Sequence, residues 1–112
     1  MTEPRLKTDF WIQAQVRLCD LAFIPAAIAR RGDSDAGQVL IRRDRCDGTC
    51  ELYARTVSLD GKPAWRRTTG PEPVDYATAD GLIAREAGFD PDLWVLDIED
   101  PHGRYAFDAP VI

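Results

Sequence analysis

The chain has 112 residues, 45% of them hydrophobic and 29% charged, with Lys plus Arg at 14, Asp plus Glu at 19 and a net charge of −5. This is the usage of one soluble globular domain, and folding at this length removes roughly 65% of the unfolded surface from water, enough for a single core. The balance excludes an evenly basic nucleic-acid binder, but it is uneven along the chain. Residues 1–25 are neutral, residues 26–70 hold nine bases against six acids, and residues 71–112 hold two against ten. All bases except Lys7 and Lys62 are Arg, whose planar fork suits carboxylate and phosphate alike.

Residues 1–9 mix charges of both signs with no apolar stretch, so no secretory leader is expected. The longest apolar run, residues 21–29, is interrupted by Pro25, whereas a membrane span needs about 20 apolar residues. Three cysteines argue against a disulfide framework. A reduced, cytoplasmic protein with no membrane attachment is therefore expected.

In chain order, the first element is a helix over residues 9–23. Trp11, Ala14, Leu18, Leu21 and Ala22 recur at helical spacing, Gln13, Arg17 and Asp20 form a polar stripe, Thr8 is the expected N-cap, and Pro25 blocks continuation. Strands are expected over 26–31, 38–44, 50–57 and 64–69, separated by turn residues that include Asp47-Gly48 and Asp60-Gly61. Both Asp-Gly pairs are hairpin signals, because positive φ costs glycine nothing. In the third strand Leu52, Ala54 and Thr56 alternate with Glu51, Tyr53 and Arg55, which predicts one core face and one wet face. A second helix fits 76–87, with Asp75 as N-cap and Gly88 as a left-handed C-cap. The near-continuous apolar start of the strand over 93–99 predicts a central position, and a last strand is expected over 104–107. The reading is α+β, one domain in α-β-β-β-β-α-β-β order: an antiparallel sheet of five to six strands with both helices packed on one face.

Arg5-Leu6-Lys7-Thr8 with Phe10-Trp11, Arg30-Arg31-Gly32-Asp33 ending in Ala36-Gly37, Asp47-Gly48-Thr49 with Leu52-Tyr53, and the stretch from Arg85-Glu86-Ala87 through Phe89-Asp90-Pro91-Asp92-Leu93-Trp94-Val95 to Ile98-Glu99-Asp100 carry a resemblance. Together they resemble the Domain of Unknown Function 1491 family of short bacterial proteins over nearly the whole chain. The resemblance implies no activity, substrate or catalytic residue.

The chemistry-bearing residues are few. One His, His102 in a turn, cannot make a multi-histidine metal site. Ser34 and Ser58 sit in loops without a nucleophile-elbow context. Cys46 and Cys50 bracket a turn and could bond across it, but they lack the C-x-x-C spacing at a helix N-terminus that activates a thiolate. Asp97 and Glu99 share one side of a strand and are weak metal candidates, more simply read as partners for Arg on neighbouring strands. Arg31-Gly32-Asp33 reads as a loop in which Gly supplies a special φ and Asp caps the turn.

A candidate binding surface remains. Tyr53 and Arg55 share a side of one strand, Trp65 and Arg67 of another, and Arg42 and Arg43 lie on a third. Aromatics interleaved with guanidinium groups are what a single-stranded nucleic-acid platform requires. The sequence thus predicts a non-enzymatic protein-interaction module that binds another protein or self-associates. The alternative is a nucleic-acid-associated domain, at its most specific a metal-dependent nuclease. No cofactor is expected.

Overall fold

The computed structural model describes residues 7–112; the charged stretch at residues 1–6, read above for a leader, lies outside them. Its elements are α1 (Thr8–Leu21), β1 (Ala26–Arg30), β2 (Val39–Asp44), β3 (Thr49–Val57), β4 (Pro63–Arg67), β5 (Val74–Asp75), α2 (Tyr76–Phe89) and β6 (Trp94–Glu99). The strand order is β1-β6-β2-β3-β4, with β5 pairing β3 beyond the end of β4. The two Asp-Gly turns join β2 to β3 and β3 to β4 as antiparallel neighbours, with Gly48 and Gly61 at positive φ. β6 inserts between β1 and β2, antiparallel to the first and parallel to the second. The fold is α+β and its order largely follows the expectation, with the short β5 added before α2, a single strand after it, and a mixed sheet.

The helices lie on opposite faces, which corrects the one-sided packing expected. Trp11, Ile12 and Cys19 of α1 pack on Val39, Ile41, Tyr53, Trp65, Trp94, Leu96 and Ile98, and the C-terminal residues Tyr105, Phe107 and Ala109 complete that layer. Ala79, Leu82, Ile83 and Ala87 of α2 cover Leu40, Cys50, Leu52 and Val95 from the other side. Both sides of the central strands are therefore apolar, so alternation along β3 does not separate core from water. Tyr53 and Glu51, expected on a wet face, are 3% and 1% exposed. Residues 104–107 form no strand; the C-terminal segment reaches the β4 edge instead, where Trp65 N donates to Pro110 O and Ile112 N to Trp65 O, both at 2.8 Å. This covers one sheet edge, while the outer edge of β1 pairs with no strand among the described residues.

The termini of the helices show which local signals decide. Asp75 caps α2 as expected, its Oδ1 accepting from Thr78 N at 2.7 Å. Gly88 is not a cap: α2 continues to Phe89. Lys7 is the N-cap of α1, and Thr8 turns its hydroxyl inward to Gly37 O at 3.1 Å. Gly32 and Gly37 serve close approach and not a special φ, because an added Cβ would lie 1.8 and 2.2 Å from Asp92 O and against the Trp94 ring. Asp33 does cap its turn, its Oδ2 accepting from Asp35 N and Ala36 N.

Candidate interaction surface

Arg42, Arg43, Arg45 and Arg67 of the meander pair with acids of the same chain. In register, Arg43 sits opposite Glu51 and Tyr53 opposite Arg67. Glu51 Oε1 accepts from Arg43 Nη2 at 2.7 Å and Arg45 Nη1 at 3.3 Å, and its Oε2 accepts from Arg67 Nη1 at 2.7 Å. Burial alone would raise the carboxyl pKa, but the hydrogen bonds from Arg43 and Arg67 hold it below its ordinary value. Arg43 also lies 5.5 Å from the Tyr53 ring centre, and Arg55 lies 4.1 Å from Trp11 and 5.6 Å from Trp65. The structure brings Tyr53, Arg55, Trp65, Arg67 and Arg43 to one face, as a platform requires. It buries the two aromatics there, however: Trp65 is 1% exposed, with its indole N–H on Asp108. No ring of this set is open for a base to stack on.

Arg42 faces the other side. Its Nε and Nη2 bind the two carboxylate oxygens of Asp97 at 3.0 and 2.8 Å, and its Nη1 reaches Asp80 Oδ1 at 2.6 Å. These groups line an open cleft of about 450 Å³ with Tyr76, Asp44 and Glu99. Asp97 is occupied by Arg42, and no group of three or more metal-ligating side chains converges among the described residues. Tyr76 donates its hydroxyl to Asp44, a bond that raises its pKa to about 12. Cys46 is exposed and Cys50 buried, with no disulfide between them. Desolvation and then Asp44 and other carboxylates raise the Cys46 pKa, and burial raises that of Cys50, opposite to what an activated thiolate needs. His102 sits exposed in its turn.

The surface that sequence reading assigned to the core is the outer side of α1. Leu18 and Leu21, expected to be buried, are exposed, and Phe10 is exposed with them. Phe10, Ala14, Arg17 and Leu21 follow at i, i+4, i+7 and i+11, one stripe of a helix, with Leu18 beside it. The buried side is set instead by Trp11, Ile12, Gln15 and Cys19. At the end of the stripe Phe23 is 87% exposed and has φ +58°. Its N–H bonds Asp20 O at 3.1 Å and the next, of Ile24, bonds Cys19 O at 2.8 Å. That is a Schellman ending, in which glycine is the usual residue at the left-handed position. Beside the helix, a groove of about 600 Å³ is lined by Val16, Arg17, Asp20, Ile24, Pro25 and, at the start of β1, Ala26 among others.

These features sit on a known fold. The model for a protein family described as "Protein of unknown function (DUF1491)" matches residues 6–108. The chain belongs to the DUF1491 family. The crystal structure of a DUF1491 family protein from Caulobacter crescentus CB15 is 36% identical, with a TM-score of 0.84, covering 96% of this chain and all of that one. The NMR structure of a DUF1491 family protein from Caulobacter crescentus CB15 is 35% identical, with a TM-score of 0.81, covering 98% of this chain and 99% of that one. A solution structure from A. tumefaciens is 27% identical, with a TM-score of 0.72, covering 86% of each chain. No curated protein matches the chain. DUF1491 membership thus carries the architecture and no substrate or reaction. No helix among the described residues of this DUF1491 chain is long and apolar enough to cross a membrane.

Proposed function

We propose that the chain is a non-enzymatic protein-interaction module, and that its docking surface is the outer face of α1 with the adjoining groove between α1 and the start of β1. The supporting observation is Phe23: a large apolar side chain held in water in a left-handed backbone conformation that glycine would adopt with about 1 kcal/mol less strain. Strain of this kind at an exposed aromatic marks a side chain kept for contact. Leu18, Leu21 and Phe10 add exposed apolar side chains on the same side of α1, and exposed apolar area of this sort is a feature of interaction sites.

The occupant that fits best is a second copy of the chain. Two antiparallel α1 helices related by a two-fold axis between residues 15 and 16 set Phe10 opposite Leu21 twice. Ala14 then faces Arg17, its small side chain leaving room for the guanidinium. One self-complementary patch suffices for such a closed dimer. Joining two β1 edges fits less well, because it would bring both copies' Asp97 and Glu99 to the same side of the joint sheet. Light scattering across a micromolar to millimolar series tests the reading. The wild type should move from 12.5 kDa toward twice that mass, and Leu21→Glu should remain monomeric with an unchanged melting temperature. A wild type that stays monomeric throughout overturns self-association.

A further inference from the structure

The cluster around Glu51 is unbalanced. Three guanidinium groups converge on one buried carboxylate, and even with the exposed Asp47 beside Arg45 positive charge is left in excess. The carboxylate is 1% exposed, while the side chains of Arg45 and Arg67 are 36% exposed and that of Arg43 is 16% exposed. Each arginine carries five donors in a fixed fork, and each spends only one or two of them on Glu51. Glu51 thus acts as an internal template: it draws the three forks together from β2, the β2–β3 turn and β4, and takes up only a minority of their donors, with Tyr53 also bonded to Arg67. The other acid that Arg45 affects is Asp47, which is exposed and already accepts from Thr49 N and Oγ1.

We propose that Arg43, Arg45 and Arg67 form a binding site for a phosphate dianion, either free or as a phosphomonoester, with Glu51 as the buried positioning residue. A dianion brings more charge and more acceptor oxygens to these forks than a carboxylate or a phosphodiester at −1 does. Tetrahedral oxygens also match convergent guanidinium forks through paired N–H donors. Burial of Tyr53 and Trp65 keeps bases from stacking on this face, so a phosphoryl group alone is read. The site is independent of the α1 surface and stands whether or not the chain self-associates.

The experiment is a thermal melt in inorganic phosphate against chloride at equal ionic strength, paired with an NMR titration of the arginine Nε–Hε signals. The wild type and the exposed control Arg66→Ala should melt higher in phosphate, and Arg45→Ala/Arg67→Ala should melt equally in both salts. The Arg43, Arg45 and Arg67 signals should shift together and saturate. An arm with O-phosphoserine separates the sources: an equal response assigns a phosphomonoester, and a response to inorganic phosphate alone assigns the free ion. A melting temperature equal in both salts for the wild type overturns the site, as does a rise that survives in the double variant. Arginine signals that fail to shift overturn it even where the double variant does not fold.

Discussion

Glu51 shows how one residue sets the chemistry of its surroundings. A carboxylate buried among apolar strands is costly unless paired, and here three arginines from neighbouring segments pair it. Replacing it with Gln leaves those guanidiniums without their counter-charge, at a cost of about 3 kcal/mol or somewhat less where the arginines regain water. The pH dependence has a definite sign. Because the folded-state pKa lies below the ordinary 4.5, the native state binds fewer protons than the unfolded one, so the stabilisation is complete above that value. It is lost as pH falls through the folded value. Urea unfolding should therefore show the wild type losing stability below about pH 4.5 more steeply than Glu51→Gln, the two curves converging in stronger acid. Parallel curves would contradict the pairing. Phe23 gives the converse case, in which the native residue is the strained one: Phe23→Gly should hold or raise the melting temperature while weakening self-association.

Element by element, what was legible in the sequence tracks how local the signal is. Asp75 before α2 and the Asp-Gly turns of the β2–β3–β4 meander act within four residues, and all were readable. What escaped depends on contacts across the chain. Arg104 donates to Ala22 O at 3.1 Å and Phe23 O at 3.3 Å, closing the C-terminus of α1 from 82 and 81 residues away, and nothing near residue 22 announces it. Arg104→Ala should lower stability by about 1 kcal/mol, measured by chemical denaturation. Gly32 and Gly37 were read as turn residues, but their role comes from Asp92 O and Trp94. A methyl group at Gly32 would overlap a backbone carbonyl, so the loop or β6 must move. Gly32→Ala should destabilise by more than 2 kcal/mol, and a melting temperature equal to wild type would show that the close approach is relaxed in solution.

Across the whole molecule, periodicity identified the helices and strands but assigned their faces imperfectly. Helical spacing along residues 9–23 put Trp11, Ala14, Leu18, Leu21 and Ala22 on one stripe. Of these Trp11 packs on the sheet, together with Ile12 and Cys19, while Leu18 and Leu21 are exposed. β6 lies between β1 and β2 in a sheet covered on both faces, with α2 opposite α1, and α1 keeps a second side whose apolar residues the other described residues leave exposed. The candidate arginine platform was legible as a cluster, and pairing of Arg with acids of neighbouring strands was legible too, as Arg42 with Asp97 shows, but the acid that pairs the platform, Glu51, read as solvent-facing. The unclaimed side of α1, ending in the strained Phe23, is the central feature. Sedimentation equilibrium of the wild type and Leu21→Glu at matched concentrations tests it most directly. The wild type should reach twice 12.5 kDa and the variant should stay at the monomer mass; a wild type that remains monomeric at millimolar concentration, or a variant that associates equally well, would contradict it.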